Sequence, residues 1–151
     1  MMEIITKSAN ETKKVGISLA MELKKQLPLK HAFVIALIGD LGAGKTTFIQ
    51  GLASGLGIKE SVLSPTFLIL KQFSIALKSC KNFYHIDTYR LKNSQEFLEL
   101  GFKDLIGNPE NLIVIEWANK VEKILPKDTL WIRFKNLGKN KRKIILWKNL
   151  F

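Results

Sequence analysis

The chain has 151 residues, 46% hydrophobic and 25% charged, the balance of a globular protein able to bury its own core. No apolar run approaches the roughly 20 residues of a membrane span, and the start, Met1-Met2-Glu3, lacks the basic and apolar regions of a signal peptide. Cys80 is the only cysteine, which excludes a disulfide framework and a cysteine-based zinc site.

These features predict one cytoplasmic domain over residues 1–151. The net charge of +11 admits a nucleic-acid partner. Of 24 basic residues, however, only Arg90, Arg133 and Arg142 are arginines. Scattered lysines equally describe a solvated surface or a face for an acidic protein. Charge alone does not choose among these readings.

In chain order, Glu3 to Thr6 predicts a short strand. Ser8 and Glu11 then form a capping box for a helix with Val15, Leu19, Leu23 and Leu27 on one face, closed by Pro28. That spacing predicts an amphipathic surface helix. Phe33-Val34-Ile35-Ala36-Leu37-Ile38 carries no charge, as expected of a strand buried on both faces. Gly39-Asp40-Leu41-Gly42-Ala43-Gly44-Lys45-Thr46 follows and fits G-x-x-x-x-G-K-[ST], with Phe48, Leu52 and Leu56 at helical spacing behind it.

The motif has a mechanical cause. Glycines let successive N–H groups converge on an anion, and the helix start adds unpaired N–H groups and a positive dipole end. The run predicts a nucleotide site made by Asp40, Leu41, Gly42, Ala43, Gly44, Lys45, Thr46 and Thr47. Lys45 reaches the β- and γ-phosphates of a nucleoside triphosphate, and the Thr46 hydroxyl is a Mg²⁺ ligand.

Ser64-Pro65-Thr66-Phe67 predicts a loop feeding a strand through Phe73, because Pro65 biases Ser64 toward extended geometry. Its hydroxyls fit either a switch-like contact to the γ-phosphate or ordinary turn chemistry. Phe83-Tyr84-His85-Ile86-Asp87 is the next strand, close enough to form an antiparallel hairpin with the preceding one. Asp87 and Arg90 suit Mg²⁺ or water and a phosphate, or a surface pair with each other. His85 reads as a core or structural residue. Asn93 and Glu96 form a second capping box before a short helix ending near Gly101.

Leu112-Ile113-Val114-Ile115-Glu116-Trp117 is an apolar strand ending in a carboxylate. Downstream of a P-loop this makes Glu116 the leading candidate for the Walker B acid, which holds Mg²⁺ or orients the attacking water. Asn119-Lys120-Val121-Glu122 approximates a guanine-reading N-K-x-D motif, but with the longer Glu. Leu130–Phe134 and Ile144–Trp147 predict a C-terminal hairpin, with Lys139, Lys141, Arg142 and Lys143 near its turn. Those charges suit solubility and a protected sheet edge. The predicted fold is thus α/β, a P-loop NTPase with a mixed sheet of about seven strands, flanking helices and antiparallel hairpins.

Four landmarks in this order are the P-loop, Ser64-Pro65-Thr66-Phe67, His85-Ile86-Asp87-Thr88-Tyr89-Arg90-Leu91 and Ile115-Glu116-Trp117. Together they resemble the TsaE (YjeE) family, ATPases of bacterial tRNA threonylcarbamoyladenosine biosynthesis. The resemblance implies that ATP and Mg²⁺ are bound, that TsaD and TsaB are the partners, and that tRNA is approached through them. It implies catalytic roles for Lys45, Thr66, Asp87 and Glu116, metal binding by Thr46 and Glu116, and a place for Trp117 beside the nucleotide. Ala118-Asn119 departs from the Pro-Glu common in relatives. Two other readings of the same P-loop are a small-molecule kinase, which usually deploys more arginines, and a binding module gated by nucleotide without turnover.

Overall fold

Strand β2 (Phe33–Ile38) lies inside a seven-stranded sheet of the computed structural model, which describes residues 1–27 and 29–148. Pro28, the expected end of the first helix, falls outside them. The other elements are β1 (Met2–Thr6), α1 (Ala9–Gln26), α2 (Lys45–Gly55), β3 (Leu70–Ser74), β4 (Asn82–Asp87), α3 (Ser94–Glu99), α4 (Phe102–Gly107), β5 (Asn111–Glu116), β6 (Leu130–Asn136) and β7 (Arg142–Lys148). Short 3₁₀ turns at Ala118–Lys120 and Glu122–Ile124 follow β5.

The strand order is β1-β7-β6-β2-β5-β4-β3. Strands β6, β2, β5 and β4 run parallel, whereas β1–β7, β7–β6 and β4–β3 pair antiparallel. This is the mixed α/β sheet that the sequence predicts, with hairpins at both edges. β2 and β5 are apolar along nearly their whole length because helices cover both faces. Phe33, Ile35, Leu37, Leu112 and Val114 pack toward α1 and α2, while Val34, Ala36, Ile113 and Ile115 pack toward Phe97 and Phe102 of α3 and α4.

Helix α1 begins as its capping box predicts: the Glu11 N–H donates to Ser8 Oγ at 3.1 Å, and the Lys7 N–H donates to Glu11 Oε2 at 2.6 Å. Its buried line differs from the expected one. Thr12, Gly16, Ala20 and Leu23 are buried, while Val15, Leu19 and Leu27 pack only partly. The reason is close contact with α2. A Cβ on Gly16 would fall 2.3 Å from the Phe48 carbonyl oxygen, and one on Gly51 would fall 2.0 Å from that of Lys13. Small residues let the two backbones meet, so α1 is a buried partner of the P-loop helix rather than only a surface helix.

Strand β3 begins at Leu70, later than the sequence predicts, because Pro65 to Ile69 form a turn in which Ile69 takes φ 64°. Asn93 caps α3, its Oδ1 accepting from the Glu96 N–H at 3.0 Å, while Glu96 Oε2 accepts from the Lys92 N–H at 2.8 Å, one residue before the cap.

Candidate nucleotide site

The P-loop leaves β2 where the parallel strands end, the position at which α/β sheets open a crevice. Gly44 caps α2 with φ 101°, a left-handed conformation that favours glycine. Lys45 opens the helix and points back into the loop, where its Nζ donates to the Gly39 and Asp40 carbonyls at 2.5 and 2.9 Å. The ammonium also sits 4.2 Å from the centre of the Trp117 ring. Burial lowers the Lys45 pKa below its ordinary 10.5, opposed by the nearby Glu116, Asp87 and Asp40 carboxylates. A buried cation at the start of a helix suits an anionic ligand, and the acids beside it suit a cation carried with that anion.

The acids arrive on two adjacent parallel strands. Register places Asp87 at the end of β4 directly beside Glu116 at the end of β5. Both project from the face covered by α2, since Phe83, His85 and Asp87 alternate onto that side. Going up β4, the face turns from apolar to polar as it reaches the P-loop.

Glu116 is buried, and the Thr46 hydroxyl donates to its two carboxylate oxygens at 3.2 and 3.3 Å. His85 Nε2 lies 2.8 Å from Glu116 Oε1. A carboxylate only accepts, so Nε2 carries the proton. Asp87 Oδ2 accepts from Ser64 Oγ at 2.8 Å and Thr66 Oγ1 at 3.0 Å, and its Oδ1 accepts from the Tyr89 N–H at 2.8 Å. The Ser64–Phe67 loop is thereby tied to the end of β4. Arg90 does not pair with Asp87; its guanidinium lies 4.3 Å from the centre of the Phe67 ring.

Trp117 takes φ 58° immediately after β5 and stacks obliquely on Tyr89 with ring centres 5.0 Å apart. The Thr88 hydroxyl donates toward the Glu116 and Trp117 carbonyls at 2.9 and 2.8 Å, fastening the ends of β4 and β5 together.

One cavity of about 420 Å³ is lined by Lys45, Thr46, Thr47, Thr66, Asp87, Glu116 and Trp117, together with Leu41, Gly42 and Gly44. Two members of the predicted set lie elsewhere. Ala43 is buried in the core, and Asp40 lines a neighbouring cleft with Asn119 and Arg133. None of Asn119, Lys120, Val121 and Glu122 lines the cavity of Lys45.

Tyr89 and Arg142 share the cavity without a role predicted for them, Ser64 joins it from the loop whose hydroxyls are expected there, and His85, expected to be core or structural, is buried behind Glu116. For His85 a signal existed: it alternates with Asp87 in a strand that is otherwise largely apolar. Arg142 had none, because it reaches the site from a distant hairpin.

The family model for TsaE, "Threonylcarbamoyl adenosine biosynthesis protein TsaE", matches residues 6–144. The chain is 41% identical over 115 residues to the tRNA threonylcarbamoyladenosine biosynthesis protein TsaE of Bacillus subtilis, covering 76% of this chain and 69% of that one. It is 34% identical over 143 residues to the protein of the same name from Treponema pallidum, covering 95% of this chain and 98% of that one. The crystal structure of YdiB from Bacillus subtilis superposes with a TM-score of 0.76 at 31% identity, covering 98% of this chain and 85% of that one.

Proposed function

This chain belongs to the TsaE family, and from that membership we propose that it is a Mg²⁺-dependent ATPase acting with TsaD and TsaB. A part in tRNA threonylcarbamoyladenosine biosynthesis, and nucleotide binding and hydrolysis in general, come with the family and its P-loop fold. The finer reading is that ATP hydrolysis sustains the cycle of a TsaD–TsaB catalyst. That catalyst modifies the adenosine beside the anticodon in tRNAs reading A-starting codons, in the cytoplasm. The chain itself does not carry out the transfer, and it meets tRNA through its partners.

The observation that carries the reading is the meeting of Lys45, Thr46, Asp87 and Glu116 in one cavity at the ends of parallel strands. The Thr46 hydroxyl and Glu116 carboxylate lie side by side as hard oxygen donors. That donor set fits Mg²⁺, which takes few protein ligands and leaves its other positions to phosphate and water. The ion, when bound, offsets charge on the β- and γ-phosphate oxygens.

Loop N–H groups cradle the phosphates, and the Lys45 ammonium exchanges the Gly39 and Asp40 carbonyls for the β- and γ-phosphates. Thr66 and Asp87 close the γ-phosphate side, and one of the two acids, Asp87 or Glu116, orients the attacking water. Trp117 and Tyr89 wall the site.

The test is hydrolysis by the purified chain with and without TsaD and TsaB. Slow turnover alone and faster turnover with both partners is the expected result. Absence of both association with the partners and stimulation by them would overturn the assignment.

A further inference from the structure

We propose that Arg142 is a nucleotide-binding residue that holds the α-phosphate from the flank of the P-loop opposite the two acids. This rests on the ATP site proposed above. Arg142 is the first residue of β7, which is separated from the P-loop strand β2 by β6. Its side chain nonetheless lines the cavity of Lys45 and Glu116. It crosses directly over Gly44, where a Cβ would stand 2.6 Å from both Cδ and Nε of Arg142. Glycine at position 44 therefore does two things: it takes the left-handed conformation at the start of α2, and it leaves room for this side chain.

The other two arginines are engaged elsewhere. Arg90 lies over Phe67 and Arg133 lies 5.3 Å from the centre of the Trp147 ring; neither lines the cavity. Arg142 is tethered by Nη1, which donates to the Asn140 carbonyl at 3.1 Å. Its Nε is shut away from solvent and has no acceptor among the described residues. A buried donor without an acceptor is costly, and this one stands beside a loop whose own N–H groups converge. An anion is the ligand chemistry that satisfies such an array of donors.

Topology decides which part of the nucleotide that is. Asp87 and Glu116 end strands β4 and β5 on one side of β2, whereas Arg142 comes from β7 on the other. Thr46 and Glu116 mark the Mg²⁺ end of the triphosphate, and Lys45 takes the β- and γ-phosphates. The phosphate chain then runs away from the acids, and its α end comes to the Gly44 flank. Arg142 thus grips a group common to ATP and ADP. It is not an arginine acting on the γ-phosphoryl group as that group transfers.

The experiment is calorimetric titration of wild type, Arg142→Ala and Arg142→Lys with ADP and with ATP in Mg²⁺, after thermal melts confirm folding. Arg142→Ala should raise the Kd for ADP and ATP by the same factor, about ten- to a hundredfold. Arg142→Lys keeps the charge but not the planar fork of donors, and should recover only part of the affinity. It also decides the matter should the alanine variant not fold. Unchanged ADP affinity in the variants overturns the inference, and a fall in ATP turnover alone would move Arg142 to the γ-phosphate. Tighter binding in either variant also overturns it, since the arginine would then be blocking the site. Failure of the wild type to bind ADP would instead bring down the ATP-site reading and this inference with it.

Discussion

His85 Nε2 lies 2.8 Å from Glu116 Oε1, a contact between adjacent parallel strands in which both side chains are buried. Glu116 thus meets two donors, the imidazole from beneath and the Thr46 hydroxyl from the P-loop helix. The histidine holds the carboxylate at the cavity edge, and its own Nδ1 has no partner among the described residues.

His85 is therefore a positioning residue. It links core and site through a contact that depends on the register of β4 against β5. His85→Phe keeps the volume but removes the donor, leaving a buried carboxylate short of a hydrogen bond. Loss of stability by about 1–3 kcal/mol is expected in urea denaturation. Steady-state kinetics should show kcat falling at least tenfold while KM for ATP moves less. His85→Gln, which can still donate, should restore part of kcat; a merely structural histidine would give no such rescue.

Asp87 holds the Ser64–Phe67 loop through both loop hydroxyls. Phe67 in that loop and Leu68 after it are largely exposed, and only Pro65 of the loop is buried. Asp87→Ala should free the segment and abolish most ATP hydrolysis. Limited proteolysis is the check: cleavage between Ser61 and Leu68 should become faster than in the wild type, whereas Asp87→Asn, which keeps an acceptor, should protect the loop better.

Gly51 is the point at which α2 lies against the α1 backbone. Gly51→Ala forces a Cβ to within 2.0 Å of the Lys13 carbonyl oxygen unless the helices separate. A loss of about 1–3 kcal/mol, or more if α1 detaches, should appear in urea unfolding. Helix propensity alone would make Gly51→Ala stabilising by up to about 1 kcal/mol, so a Gly51→Ala protein as stable as the wild type or more so would refute the close-approach account.

Cys80 is fully buried, and burial raises its thiol from 9.0 to about 11. The folded protein therefore keeps a proton that the unfolded chain releases from about pH 9. Stability from this group is intact below pH 9 and falls as pH rises toward 11, by at most about 1.4 kcal/mol per pH unit. Chemical denaturation across that window should show a steeper decline for the wild type than for Cys80→Ala. Thiol reagents at neutral pH should label the folded chain slowly.

What was legible in the sequence was local or periodic. The P-loop announces itself because its backbone turn, anion nest and helix start are built from consecutive residues, Gly39 to Thr46. Strands β2 and β5 read correctly because burial on both faces leaves β2 wholly apolar and β5 apolar between Asn111 and Glu116, and the capping boxes at Ser8 and Asn93 lie within one helical turn. The family resemblance drew on motifs of the same short kind.

What the sequence could not display depends on register and on distance in space. Glu116 receives His85 because two parallel strands pair in one register out of several that their apolar residues would tolerate. Arg142 enters the site because β7 folds back on β6, carrying one cation of a lysine-rich turn over Gly44. Gly16, Thr12 and Ala20 look too small or polar to mark a helix face, yet they are buried because α2 comes close enough to exclude anything larger. The residues that bind by backbone geometry were determined by their neighbours in the chain; those that act through a partner were decided only when burial of the whole sheet chose which side chains would meet.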